Sequence, residues 1–197
     1  SFKSTTINTY IGANQDGINN LLTSSRTGYY LKKFMLPGVT LNPTGPVSAA
    51  HTFTLFRETE VLLNFAEAAN EAWGPDGDPN ALGFTAKTKI RDLRIRAGIT
   101  QPDAYLASIS TKEEMRALIR NERRLELCFE DFRFWDIRRW NDVTTMQEPV
   151  KGAYITNIAG VFTYDYQVVE NRLYDAHMIY GPIPYDETLK YNIPQNN

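Results

Sequence analysis

The sequence predicts a mainly α protein, built of helical hairpins with irregular loops and a small β periphery. Apolar residues recur at helical spacing over residues 54–73 and 115–130, and glycine and proline punctuate the intervals between such stretches. Residues 161–168 instead alternate apolar and polar side chains, the period of a strand. The 197 residues suit one domain with a sizeable core, made of an irregular segment 1–51, helical hairpins over 52–142 and a strand-and-loop wrap over 143–197.

Gly, Asn, Ser, Thr and Pro dominate residues 1–51. Tyr29-Tyr30-Leu31 and Phe34-Met35-Leu36 read as brief strands, interrupted by Pro37-Gly38 and Asn42-Pro43-Thr44-Gly45-Pro46. A helix follows from Thr54 to Trp73, with Leu55, Leu62, Phe65, Ala66, Ala69 and Trp73 on its apolar stripe. Arg57, Glu60, Asn64, Glu67 and Glu71 take the opposite side, and Gly74-Pro75 caps and breaks the helix. Asp78-Pro79 reads as N-cap and first position of a second helix that runs to Ala97 and stops at Gly98. The short connection makes the pair an antiparallel hairpin.

Ser110 and Glu113 read as the capping box of a third helix extending to about Glu130, and a short helix covers Phe134 to Trp140. Beyond it, Phe162, Tyr164, Tyr166 and Val168 share one side of a half-buried strand. His177 to Tyr180 reads as another short strand, and the polar tail from Tyr185 wraps the surface.

The third helix carries an anomaly. At about 100° per residue, Met115, Leu118, Ile119 and Phe129 gather on one face, and Glu122 and Glu126 fall in its middle. An unpaired buried carboxylate costs several kcal/mol, so cations must answer it. Glu58 projects into the apolar stripe of the first helix and carries the same requirement. Arg91, Arg94 and Arg96 lie upstream, and Arg120, Arg123, Arg124, Arg133, Arg138 and Arg139 crowd the segment itself. The expectation is an internal charge network in which Arg123, Arg124, Arg133 and Arg139 meet Glu58, Glu122, Glu126 and Asp136, holding the helices in register.

Composition excludes several functions. A formal charge of −2, with acids and bases interleaved, gives no case for nucleic acid as a partner. No apolar run approaches the roughly 18 residues that span a bilayer. The opening SFKSTTINTY, without a methionine, points to a piece or processed form of a longer protein. Cys128 is the sole cysteine and reads as a small buried hydrophobe.

No metal site is expected. Asp76, Asp78 and Asn80 imitate a calcium loop, but Ala81 stands for the required glycine and Lys87 for the bidentate glutamate. His51 and His177 lack ligand spacing. No nucleophile elbow, phosphate-cradling loop or zinc-protease motif is present, so neither a cofactor nor catalysis is expected. Aromatic rings are plentiful, and sugar C–H faces stack on them. Tyr10, Tyr29 and Trp73 are therefore the candidate ligand contacts.

Four motifs in order resemble a known family. Arg57, Glu60-Val61 and Leu63-Asn64-Phe65-Ala66-Glu67-Ala68 form the first, and Ile90, Leu93-Arg94 and Arg96-Ala97-Gly98 the second. The third is Glu122-Arg123-Arg124, Glu126-Leu127, Phe129-Glu130, Arg133, Trp135-Asp136 and Arg139-Trp140. Pro182-Ile183-Pro184, Glu187, Asn192 and Gln195-Asn196 close the pattern, with Gly28-Tyr29-Tyr30-Leu31-Lys32-Lys33-Phe34 as weaker support upstream. Together they resemble the SusD/RagB family of nutrient-binding lipoproteins. Glu58 stands where that family is usually apolar and Arg91 where it often has asparagine, departures that do not threaten the fold.

The resemblance implies a tetratricopeptide-like helical fold and a non-enzymatic protein that captures a glycan or peptide. It also implies a lipid-anchored position on the outer face of the Bacteroidetes outer membrane, over a SusC-like TonB-dependent transporter. Family members are longer, so this chain corresponds to the C-terminal portion, and no ligand residue carries over by motif. Two rivals remain open: a helical scaffold that docks on the transporter with ligand contacts elsewhere, and a glycoside hydrolase using Glu58 and Glu60.

Overall fold

A computed structural model describes residues 7–12, 16–36, 38–52 and 54–194. Pro37 and the Gln195-Asn196 pair of the terminal motif lie outside the described residues. The architecture is mainly α with a small β part, as the sequence predicts: α-helices carry most of the regular structure, and a two-stranded sheet is the sheet present among the described residues. The chain divides into two compact units, a helical unit over Thr52–Phe134 and a hairpin unit that joins residues up to His51 with those from Trp135 onward.

In the helical unit, α1 spans Glu58–Trp73. It starts four residues later than the apolar spacing predicts, because Arg57 is held extended (φ −143°, ψ 154°). Leu55 is consequently exposed. The buried face is Thr59, Leu63, Ala66, Ala69 and Asn70, and the helix stops at Gly74, whose φ of +85° suits glycine.

Helix α2 covers Ala86–Arg96, shorter than expected at its start. Left-handed backbone at Ala81 and Gly83 breaks the earlier residues, and Thr85 caps the helix through a reciprocal box with Thr88. Asp78 is therefore a turn anchor and not an N-cap: its carboxylate accepts from the amides of Leu82 and Gly83 at 2.9 and 2.8 Å. The end at Gly98 is as predicted, with the Ile99 amide returning to the Arg94 carbonyl at 3.0 Å.

A short helix that periodicity missed, α3 (Ala104–Ser108), is capped by Asp103, whose carboxylate accepts from the Leu106 amide. Helix α4 spans Lys112–Glu126, with Thr111 and Glu114 as its capping box, one residue beyond the pair the sequence suggested. The amides of Ser110 and Thr111 both donate to Glu114 and hold its carboxyl below the usual glutamate range.

Leu63, Ala66 and Ala69 of α1, Ala86, Ile90 and Leu93 of α2, and Met115, Leu118 and Ile119 of α4 form one core. Burying a Leu or Ile of this kind contributes roughly 1.5–3 kcal/mol. The predicted helix does not continue to Glu130. Leu127 ends it, and Phe129 is 67% exposed in a left-handed conformation rather than on the buried face.

The chain passes between units within α5 (Phe132–Arg139). In the hairpin unit, α6 (Val143–Gln147) is capped by Asp142, and an antiparallel pair follows: β1 (Val150–Ile158) and β2 (Val161–Glu170). Strand β2 matches its alternation, but its apolar side is exposed rather than half-buried. Residues 177–180 lie in a 3-10 turn over Ala176–Ile179 with its cap, not a strand, and the tail contains α7 (Tyr185–Tyr191), ended by Asn192 in a left-handed cap. Residues 29–36 are irregular around a turn at Lys33-Phe34 rather than strands. Upstream residues lie along the free edge of β1 instead, the Ala153 amide donating to Thr27 O at 2.9 Å and the Ile11 amide to Ile155 O at 2.8 Å.

Candidate functional site

Acids and arginines of the expected charge network meet across the helices. At its centre is Arg94, near the end of α2. Its Nε donates to Asp103 and its Nη1 to Glu122, each at 2.6 Å, with all three side chains nearly enclosed. The fork of one guanidinium thereby ties α2, the cap of α3 and the apolar face of α4 together. The hydrogen bond to Asp103 and the one to Glu122 raise the Arg94 pKa against desolvation, and the same Arg94 contact draws the Asp103 carboxyl below the usual aspartate range.

Glu126 belongs to a different cluster at the open end of α4. It meets Arg57 Nη1 at 3.4 Å and Arg96 Nη2 at 2.9 Å, while Arg57 Nε donates to Glu130 at 2.8 Å. The Arg57 Nη2 also donates to the Glu126 carbonyl. With Glu126 22% and Arg96 52% exposed, this cluster is wetter than the Arg94 one, so Glu126 is less decisive than its sequence position suggests.

Arg123 is buried and reaches Asn64 Oδ1 at 2.6 Å and Glu67 at 3.8 Å. Asp136 is buried and pairs with Arg139 inside α5 at 2.9 Å. Arg133 is half-buried in the first turn of α5. Two expected members are displaced: Glu58 is exposed at the start of α1, outside the apolar stripe, and Arg124 is exposed on α4. Both shifts follow from where the helices begin and which way they roll. Asp103, Glu130 and Glu67 were missed as partners. Asp103 was findable as a Pro-Asp cap before Ala104-Tyr105-Leu106, but nothing local marks the others.

These clusters offer no catalytic pair. Glu58 and Glu60 stand two apart in the first turn of α1, and side chains at that spacing point to different sides of a helix. Among the described residues no cluster of His, Cys, Asp and Glu could hold a metal ion, and no helix is long and apolar enough to cross a membrane.

The arrangement suited to a ligand is in the hairpin unit. Cross-strand pairing places Ala153 opposite Tyr166, Ile155 opposite Tyr164 and Asn157 opposite Phe162, so these side chains share one face of the sheet. Phe162 is 47%, Tyr164 59% and Tyr166 58% exposed. At about 3.3 Å per residue, the row from Phe162 to Tyr166 runs about 13 Å.

Two candidate residues from the irregular N-terminal segment join this row. The Tyr10 ring meets Phe162 edge-on, with centroids 5.7 Å apart, and the Tyr29 phenol lies near enough to that of Tyr166 to interact with it electrostatically. Reduced solvation and the adjacent Tyr166 phenol raise the Tyr29 pKa. Trp73, the third candidate, ends α1 in the helical unit and is not part of this row.

Local sequence explains how Tyr29 is placed. Gly28 has φ +77°, and a Cβ there would stand 2.7 Å from the Ala153 carbonyl oxygen, so glycine alone allows the chain to press against β1. Tyr30 then anchors the turn, its hydroxyl donating to Asp16 O at 2.9 Å and accepting from the Ser25 amide at 3.2 Å. Phe162, Tyr164 and Tyr166 escaped the sequence reading because strict alternation signals a face turned to a core as readily as one turned to a ligand.

Comparison with known proteins adds the family. The family model described as the SusD family matches residues 2–196. A SusD-like protein of Formosa agariphila is 34% identical over 99 residues, covering 50% of this chain and 19% of that protein. The matched stretch thus spans about one fifth of that relative's length. No solved structure matches the chain.

Proposed function

The chain belongs to the SusD family, a family of non-catalytic binding proteins, and on that premise we propose that it contributes a glycan-binding surface to a nutrient-uptake protein. The whole protein is placed by this reading at the outer face of the outer membrane, lipid-anchored, delivering its ligand to a SusC-like TonB-dependent transporter. The observation that carries the reading is the exposed row Phe162, Tyr164 and Tyr166, extended by Tyr10 and Tyr29. Rings left in water at 47–59% exposure present apolar faces for sugar C–H groups, and the phenols around them supply neutral donors and acceptors. Such a platform is shallow and binds weakly, in keeping with a protein that captures a ligand and hands it on.

Affinity electrophoresis of the chain against immobilised neutral polysaccharides tests this. Retardation is expected for the wild type. Each lost ring is worth about 0.5–1.5 kcal/mol, so Phe162→Ala with Tyr166→Ala weakens binding by about tenfold. Retention that ignores both substitutions assigns the ligand elsewhere, as the scaffold reading requires.

A further inference from the structure

Strands β1 and β2 form a two-stranded ribbon whose outer edges differ. The edge of β1 is used: the Ala153 amide donates to Thr27 O at 2.9 Å and the Ile11 amide to Ile155 O at 2.8 Å. The edge of β2 has no backbone hydrogen-bond partner among the described residues. We infer that this open edge, at Phe162, Tyr164, Tyr166 and Val168, is a docking edge for an extended basic strand supplied by another protein. The inference does not rest on the glycan reading, because it uses the backbone of β2 and not the faces of its rings.

The pairing pattern decides which backbone groups face that edge. In an antiparallel pair, opposed residues alternate between those that exchange hydrogen bonds and those whose N–H and C=O point away from each other. Ala153 and Ile155 turn theirs to the upstream chain, so Ala153–Tyr166 and Ile155–Tyr164 are of the second kind. The same alternation places Asn157–Phe162 and Lys151–Val168 with them. The N–H and C=O groups of Phe162, Tyr164, Tyr166 and Val168 therefore point away from β1, repeating every 6.7 Å or so, about two residues of strand.

Donors and acceptors at that repeat match the backbone of another strand, so the occupant is polypeptide. Edge strands that avoid partners are short, or carry lysine, proline or a bulge. Strand β2 has 10 residues and contains neither lysine nor proline, and its ladder is regular from Val161 to Val168. Its outward residues are apolar or aromatic, and all four are exposed. Thr163, Asp165 and Gln167 alternate with them on the opposite face, where Asp165 accepts from Gln167 Nε2 at 2.6 Å. Asp165 and Glu170 are the charged residues of β2, and the strand contains no cation. A docked strand with valine or leucine beside the rings and lysine beside Asp165 complements both faces, whereas a second copy of β2 brings only further acids.

Amide exchange on the full chain tests this with a capped synthetic peptide that alternates valine with lysine and threonine. Without peptide, the Phe162, Tyr164 and Tyr166 amides should exchange quickly and those of Thr163, Asp165 and Gln167 slowly. Saturating peptide should slow the outward amides by about tenfold or more and erase the alternation. Methylating one alternate set of peptide nitrogens should weaken binding about tenfold, and methylating the other set should change nothing, because a strand turns every second amide to its neighbour. Tyr164→Pro removes one outward donor, leaves the bonds to β1 in place and should weaken the peptide, whereas Tyr164→Phe should not. Asp165→Lys should weaken the lysine peptide about threefold and favour a glutamate version of it.

Outward amides that stay fast at saturating peptide overturn the inference, as does equal binding of the two methylated peptides. Outward amides already slow in the free monomer also overturn it, because the chain then covers its own edge. Protection that grows with protein concentration in the absence of peptide assigns the edge to a second copy and overturns the choice of partner. Retardation by neutral polysaccharides is read in a separate assay, so either proposal can fail while the other stands.

Discussion

The helical unit encloses a guanidinium shared by two acids, whereas the hairpin unit turns a row of rings to solvent. In the helical unit, carboxylates and guanidinium groups are enclosed, with Arg94 held by Asp103 and Glu122 between α2, α3 and α4. In the hairpin unit, Phe162, Tyr164 and Tyr166 face water while the backbone of β1 is pressed against Gly28, Arg26 and Ile18. Charge placed where solvent is excluded serves registration, since each ion tolerates few arrangements. Rings placed where solvent is admitted have no such structural return, and that is the physical ground for proposing binding by the second unit.

The largest test of this contrast removes Arg94. Arg94→Ala leaves Asp103 and Glu122 buried without their shared cation, at a cost of about 3–5 kcal/mol. Amide exchange in α2 and α4 should accelerate accordingly, with the β1–β2 amides little changed. A urea midpoint equal to that of the wild type would falsify the registering role of the cluster.

A complementary change strikes the hairpin unit. Gly28→Ala forces a Cβ to within 2.7 Å of the Ala153 carbonyl at φ +77°, for a loss of about 1–3 kcal/mol. Exchange should speed in β1 and at Tyr29, and glycan binding should fall because Tyr29 leaves the aromatic row. If α4 loses protection to the same degree, the units unfold together and the contrast is one of surface chemistry only.

Acidification should separate them more gently. The folded-state pKa of Asp103 is lowered, principally by its hydrogen bond from Arg94. Its contribution is therefore complete above the unfolded aspartate value of about 4 and is lost as pH falls through the lowered folded value. Far-ultraviolet dichroism should show helix loss below about pH 4 before any change in the hairpin amides by exchange. Loss of the hairpin first would contradict the assignment of titrating stability to the helical unit.

The smallest effect is expected at Glu71. Arg116 grips its carboxylate with two bonds of 2.7 and 2.6 Å, and that contact, with Arg116 the leading cause, lowers the Glu71 pKa. Yet the glutamate side chain is 43% exposed, and water competes for both ions. Glu71→Ala should move the thermal midpoint by no more than about 1 kcal/mol equivalent. A loss as large as that of Arg94→Ala would show that burial is not what distinguishes the clusters.

Sequence by itself determined the helical class, the stops at Gly74 and Gly98, the presence of arginine partners for Glu122 and Glu126, and the alternation of β2. These rest on local rules: helical period, left-handed caps, the cost of a buried ion, the strand pleat. It also identified the family through motifs whose physical content the structure now supplies, such as Gly28 against Ala153 and Asn192 ending α7.

Tertiary structure alone decided the remainder. Ser110–Glu113 and Thr111–Glu114 satisfy the same capping pattern, and the register that seats Met115, Leu118 and Ile119 in the core selects the second. Which cation answers which acid depended on how α2 and α4 approach, so Asp103 and Arg94 became partners of Glu122 while Glu58 and Arg124 were left to solvent. The aromatic row needed residues from Tyr10 to Tyr166 brought to one sheet face, a conjunction of distant segments. Periodicity tells which side chains point the same way; only packing tells whether protein or water lies in front of them.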